Sequence, residues 1–270
     1  MGDSDRTATI EVTRVAETSL DVTTDVVAVE EPLEILAAWR IGDEPREKTI
    51  SVTMRTPGDD FDLAIGFLFT EGLLRAPEDV ESVRHWSSPN RVRVAVKSRI
   101  DTSKLDRHFY TTSSCGVCGK TSMDAIRVAA RPLPPRAPVS REVVHALPAA
   151  LQNAQSGFHR TGGMHGAAIT DAAGNALCVR EDIGRHNAVD KAIGAFLRNG
   201  VLPQKDAILM VSSRGSFEIV QKAIVAGIGT VAFIGGPSSL AIELAREFHV
   251  TLLGFVRDGR FNVYSGTITP

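Results

Sequence analysis

The chain has 270 residues and a formal net charge of -2 at pH 7, from 30 Lys+Arg against 32 Asp+Glu. Hydrophobic residues make up 43% and charged residues 23%, which supplies a packed core and excludes disorder, a repeat array or a peptide hormone. The balanced charge gives no broad basic field, no apolar run approaches the ~20 residues of a membrane-spanning helix, and the opening MGDSDRTATIEV has no apolar signal core; the expectation is a cytoplasmic protein that engages neither nucleic acid nor membrane.

Residues 1 to about 25 read as polar and Thr-rich. Period-two alternation over 33–39, 49–54 and 91–96 then predicts half-buried strands. Between them Asp59 and Asp60 are placed to cap a helix over Phe61 to Leu74, with Gly72 near its end. Residues 1–110 are therefore expected to form a small α+β region. The tract Arg131 to Pro138 cannot be helix interior or central strand, because each proline lacks a donor and biases its predecessor toward extended geometry. Together with the segment before it, this tract makes 111–138 a cysteine loop and Pro-rich linker.

From 139 to 270 the pattern changes. Ser140 can cap a helix to about Ala154, and 166–170 with 176–179 read as a hairpin about the turn Asp171 to Asn175. A helix over Arg185 to Arg198 stops at Gly200. The short apolar run 207–211 reads as a strand covered on both faces, followed by a helix over 216–226. The unit repeats as strand 230–234, turn Gly235 to Ser239, helix 240–248 and a last inner strand over 251–256. Such alternation needs crossover connections, so an α/β layered domain is expected.

The cysteines, Cys115, Cys118 and Cys178, number three, too few for a disulfide framework, so their role is chemical. In Ser114-Cys115-Gly116-Val117-Cys118-Gly119-Lys120, two thiols can share a metal, close a tight disulfide or pass a sulfur atom. Gly116 and Gly119 let backbone amides approach the sulfurs, and Lys120 adds a cation that lowers a thiol pKa. A structural zinc would need Cys178 and a histidine such as His165 or His186 to complete four ligands. A dithiol oxidoreductase would place its pair directly after a strand. Cys178, within Ala176 to Val179, reads as an inert core residue.

Two turns and one loop are candidate anion sites. Gly184-Arg185-His186-Asn187 opens a helix, where amides and a cation can meet a phosphate, or where Asn187 and Asp190 merely cap and solvate it. Gly235-Gly236-Pro237-Ser238-Ser239 turns from strand into helix but is no Walker or dinucleotide fingerprint. The loop Phe255, Val256, Arg257, Asp258, Gly259 and Arg260 leaves the final buried strand at its carboxyl end, where ligands collect in layered α/β domains. Arg257 and Arg260 offer forked donors to phosphate oxygens, Gly259 lets the backbone approach, and Asp258 adds an acceptor. Composition alone leaves this loop open between ligand site and solvated turn.

Cys115-Gly116-Val117-Cys118-Gly119-Lys120 with Glu181-Asp182-Ile183-Gly184-Arg185-His186-Asn187-Ala188-Val189-Asp190-Lys191 downstream closely resembles the FdhD (NarQ) family of formate dehydrogenase accessory sulfurtransferases. Further similar pieces are Arg55 to Pro57, Gly66 to Gly72, Thr161 to His165, Ser213 to Glu218 and Gly235 to Ser239. The resemblance implies a persulfide sulfur carrier that takes sulfane sulfur from a cysteine desulfurase. It passes that sulfur to a molybdenum cofactor bearing two pterin guanine dinucleotides, bound as substrate, before the cofactor enters formate dehydrogenase. It also implies a cytidine-deaminase-like fold for 139–270, a homodimer, Cys115 and Cys118 as catalytic residues, cofactor binding on 255–260 with GDP as a fragment mimic, and no structural metal. Deaminase chemistry is not expected, because His186 is followed by Asn187-Ala188 and Ser213 to Ser216 stands where a cysteine pair is needed. Two other readings are a non-catalytic cofactor-binding chaperone and a zinc-stabilised interaction module.

Overall fold

The computed structural model describes residues 6–97, 131–203, 205–257 and 259–270. These contain fourteen strands and six α-helices in a mixed α/β arrangement. The chain opens with β1 (Thr7–Val15) and β2 (Leu20–Ala28), a two-stranded antiparallel ribbon in register from Thr7↔Ala28 to Val15↔Leu20. The sequence reading took this stretch only as polar and Thr-rich. Its Thr and Val content is instead strand-forming, and both faces stay wet, so no clean alternation marked it.

A four-stranded sheet of order β4-β3-β6-β5 follows, from β3 (Glu31–Ile41), β4 (Glu44–Arg55), β5 (Val80–His85) and β6 (Arg91–Val96). Leu33, Ile35, Val92 and Val94 are fully buried under α1 (Asp60–Thr70). Asp59 precedes α1 in the left-handed region at φ 54° and makes no side-chain cap. The expected Asp59/Asp60 cap is thus corrected: Asp60 instead receives two bonds of 2.9 Å from buried Arg55.

The second sheet has six strands in the order β13-β12-β11-β10-β8-β9. They are β8 (His165–Thr170), β9 (Ala176–Asp182), β10 (Ile208–Val211), β11 (Thr230–Phe233), β12 (Thr251–Arg257) and β13 (Arg260–Ser265). Only β10, β11 and β12 run parallel; β8, β9 and β13 are antiparallel to their neighbours. Ile208 and Met210 face α2 (Arg141–Gln152), while Leu209 and Val211 face α4 (Arg185–Arg198) and α5 (Phe217–Val225), which is why this strand reads as an unbroken apolar run. Ser140 caps α2 as expected, accepting from Val143 N–H at 3.3 Å. The short α3 (Ser156–Thr161) and α6 (Ser239–Glu247) complete the helices, and β7 (Val139–Ser140) pairs with β14 (Ile268–Thr269). The strand read as the last inner one continues through 255–257, past a bulge, into a hairpin with β13.

One apolar cluster runs from the four-stranded sheet through α1 and α4 to the six-stranded sheet. The two helices touch backbone to backbone at Gly66 and Gly194: a Cβ on either would overlap a carbonyl of the other helix, that of Asp190 or Asp62. Charged groups are buried around this crossing in complementary sets. Asp62 takes Arg180 at 2.9 Å and Arg198 at 2.5 Å, and Lys222 takes Asp190 and Thr70 Oγ1, both at 2.9 Å. Among the described residues no helix is long and apolar enough to cross a membrane.

Candidate functional site

β10, β11 and β12 end at one edge of the large sheet, and antiparallel β9 ends there too, since Asp182 pairs with His165 at the start of β8. The loops leaving these strands are laced to one another by backbone bonds. Gly235 N–H donates to Ser213 O at 3.1 Å, Gly215 N–H to Gly236 O at 3.1 Å, Ser238 N–H to Gly215 O at 2.9 Å and Phe255 N–H to Gly235 O at 3.2 Å. Such close approach needs glycine: a Cβ on Gly236 would lie 2.7 Å from the ring of Phe255, itself held at φ 55°.

Between these loops lies a cleft of about 350 Å³ walled by Arg185, Arg214, Arg257, His165, Ser212 and Gly235. Among the described residues no carboxylate lines it. The helices α4, α5 and α6 all begin at this edge, after Gly184, Ser216 and Ser238, so their amide ends add to the positive potential of three guanidiniums. The Arg185 Nε is buried without a hydrogen-bond partner among the described residues. The arrangement suits a polyanion such as a pyrophosphate.

The turn that presents Arg185 and His186 is fixed from below. Asp182 accepts from Gly184 N–H at 2.8 Å, Asn187 Nδ2 at 3.1 Å and Thr56 N–H at 3.2 Å, and faces Lys191 at 2.7 Å. Asn187 also donates to Met54 O at 2.8 Å, and Asp190 is buried on Lys222. Neither residue caps or solvates the helix; both tie it to the N-terminal elements. Glu181 accepts from Gly157 and Phe158 N–H, both at 2.8 Å, and so satisfies the amino end of α3.

Two histidines, His165 in the cleft wall and His186 on the adjoining turn, are both shifted toward the neutral form. Burial, then Lys222 and Arg185, push His186 down to about 4, and its Nε2 lies 3.3 Å from Ser216 Oγ and 3.9 Å from Glu218. Burial and Arg185 lower His165 against the opposing pull of Asp182. The positive charge of the cleft therefore rests on its arginines. Beside it, sharing His165, Ser212 and Ile234, is a second chamber of about 320 Å³ with apolar walls from Leu151, Phe158 and Met164.

Of the residues read from the sequence as cofactor-binding, Arg257 lines the cleft. Val256 is fully buried in the core against α2, and Phe255 packs over Gly236. Gly259, at φ 68°, turns the β12–β13 hairpin and Arg260 sits opposite Arg257 in its register. The six-residue loop is thus two strand ends and a turn, and not all of it faces one place. Asp258, Cys115 and Cys118 lie outside the described residues. Cys178 is only partly buried on β9 next to exposed Leu177, a correction to the inert-core expectation, although burial still raises its thiol pKa. His165, Ser212 and Arg214 were not singled out for this cleft. The signal for Ser212 and Arg214 was the Ser-Ser-Arg-Gly-Ser turn between a buried strand and a helix, whereas His165 stands at the end of the Thr161 to His165 stretch.

The FdhD/NarQ family model matches residues 28–269. The sulfur carrier protein FdhD of Mycolicibacterium paratuberculosis is 46% identical over 253 residues, covering 89% of this chain and 90% of that protein. The Streptomyces coelicolor and Nocardia farcinica proteins of the same name are 43% and 47% identical, covering 94% and 90% of this chain and 92% and 87% of their own. A crystal structure of a formate dehydrogenase accessory protein from Desulfotalea psychrophila shares the fold with a TM-score of 0.73 at 20% identity, over 96% of this chain and 97% of that one.

Proposed function

The chain belongs to the FdhD/NarQ family, and on that premise we propose that it carries sulfur for the maturation of formate dehydrogenase. The observation that carries this reading is the similarity to proteins named as sulfur carriers through nearly the whole of both chains. In this reading the Cys115 thiolate attacks the outer sulfur of a persulfide on a cysteine desulfurase. The desulfurase S–S bond breaks, its inner sulfur leaves as thiolate, and Cys115 becomes the persulfide. Cys118 then attacks Sγ of Cys115 and displaces sulfide, which leaves a Cys115–Cys118 disulfide for a cellular dithiol to reduce. Lys120 keeps the pair ionised.

The acceptor is a molybdenum cofactor with two pterin guanine dinucleotides, bound as substrate. The cationic cleft supports this assignment, since Arg185, Arg214 and Arg257 with the Gly235 turn suit a pyrophosphate, and the Arg185 Nε has a donor to offer. We keep the sequence division at 111–138, read the six-stranded sheet with its flanking helices as the cytidine-deaminase-like layer, and expect a homodimer in the cytoplasm.

The test is to incubate the protein with a cysteine desulfurase and cysteine and weigh it intact. One added sulfur on the wild type and none on Cys115→Ser is the expected result. A wild-type protein that binds GDP but never gains sulfur would instead be a cofactor chaperone. Replacing Arg257 together with Arg260 by alanine should remove from GDP binding at least the charge-assisted contact of Arg257, worth ~1.5–3 kcal/mol, read by calorimetry; unchanged affinity in a folded variant leaves the phosphates to Arg185, Arg214 and the Gly235 turn.

A further inference from the structure

The β1–β2 ribbon stands on α3. Arg160 donates to Thr7 Oγ1 at 2.9 Å, Gly163 lies against Ala28, and Arg6, just before β1, donates to Glu181 O at 3.3 Å. Among the described residues α3 is the one element that packs substantially on the ribbon. Pairing nevertheless runs unbroken outward to Val15↔Leu20 and closes in a turn where Ala16 N–H donates to Ser19 O at 3.0 Å. A two-stranded ribbon is marginal in water unless something covers it.

The two faces of the ribbon differ in charge. Directly opposite residues share a face, so Thr7↔Ala28, Thr13↔Val22 and Val15↔Leu20 lie together on one, where Glu11 is the single charge, and Arg14, Asp21 and Asp25 lie on the other. The weakly charged face is the one that meets α3, whose Phe158 walls the apolar chamber and is 40% exposed. It ends at Val15, Leu20 and Val22, which are 72%, 72% and 71% exposed. An apolar surface therefore leads from the chamber wall to the ribbon tip, and contiguous surfaces of this kind mark interaction sites.

We propose that this face is the docking surface for the apo form of the formate dehydrogenase that is being matured, which meets it with an apolar, weakly charged groove. This rests on the maturation reading given above. Whatever collects a ligand from the chamber or the adjoining cleft must approach α3, and the ribbon projects from α3. Size decides between this occupant and a second copy of the chain. Nine residues per strand make a face ~30 Å long and ~10 Å wide, so covering it removes roughly 600 Å² from water in all, well under the ~1,200 Å² of a stable assembly. The ribbon face by itself cannot hold a permanent dimer, whereas a delivery that ends in release requires a contact of this modest size.

Biolayer interferometry of the full chain against apo formate dehydrogenase tests this. Val15→Lys, Leu20→Lys and Val22→Lys combined should weaken binding at least about tenfold, because a few apolar anchors carry most of a small interface. All three side chains are already in solvent, so the variant should keep the wild-type circular dichroism, persulfide loading by the desulfurase and mass by light scattering. Asp21→Ser with Asp25→Ser, on the opposite face, should change binding by less than about twofold. Unchanged binding in the folded triple variant overturns the proposal. A loss of dimer mass or of persulfide loading with dehydrogenase binding intact overturns it too, giving the face to a second copy or to the desulfurase. A wild type that loads sulfur but does not bind the dehydrogenase overturns the docking surface and leaves the sulfur-carrier reading standing. One that does neither overturns both.

Discussion

Lys191 and Asp182 meet at 2.7 Å with both side chains wholly out of solvent, directly beneath the turn that carries Arg185 and His186. Lys191 also donates to Thr56 O at 2.8 Å, so the pair joins the N-terminal elements to the cationic cleft. Removing one member strands the other charge. Asp182→Asn or Lys191→Met should each cost about 3–5 kcal/mol in urea unfolding. The double variant should recover part of that loss, because no lone buried charge remains.

The depressed His186 predicts a pH dependence whose sign can be worked out. The unfolded chain binds a proton near the ordinary 6.5, while the folded one waits until about 4. Between those values the unfolded state holds more protons, so stability is full above pH 6.5 and falls as the pH drops toward 4, by up to about 3 kcal/mol. His186→Gln should flatten this part of the profile relative to wild type in unfolding measurements from pH 4.5 to 8. Parallel profiles for the two proteins would show that the histidine is not held neutral.

Alanine normally stabilises a helix by about 1 kcal/mol over glycine. At Gly66 or Gly194 the sign should reverse, since the added methyl would overlap a carbonyl of the crossing helix. Gly66→Ala and Gly194→Ala are expected to lose about 3 kcal/mol or more and to lower Tm accordingly. Gly163, which lies outside the positive-φ region and whose Cβ would make only ordinary contacts from 3.7 Å outward, serves as the control for added bulk.

Burial raises the Cys178 thiol, and the partly covered side chain should resist alkylation at pH 7. Differential labelling followed by peptide mass analysis should find Cys178 modified more slowly than Cys115 and Cys118. Cys178→Ser should load sulfur normally and lose at most about 1 kcal/mol, being only half-buried. Loss of loading in that variant would revive a site that uses all three thiols.

The C-terminal elements were legible because their signals are local. Ile208 to Val211 is apolar on both faces, Ser140 caps a helix, and Gly200 stops one. The cleft was legible only in pieces. Arg185, Gly235 and Arg257 each stood out beside a strand end, but their convergence depends on loops laced by backbone bonds, and backbone contacts leave little mark on side-chain identity. Val256 was misread for a related reason: in a strand that continues past a bulge, its alternation with Arg257 sends one side chain to the core and the other to the cleft. Asp190 and Asn187 looked like helix solvation because their partners, Lys222 and Met54, are remote in sequence. The ribbon of residues 7–28 escaped because neither face is buried enough to impose a period.

The glycine crossing of α1 and α4 also sets a timetable for synthesis. Thr70 and Asp190, which bond beside it, are separated by 120 positions. At the usual 5–20 residues per second of translation, the inner face of the four-stranded sheet and α1 wait roughly 6–24 s for the helix that covers them. During that interval Ile65, Leu68 and Phe69 have no second layer, so a nascent chain halted before Gly194 presents the sticky half of an unfinished core. Slow codons between the two helices therefore prolong the vulnerable state, and slow codons after α4 do not.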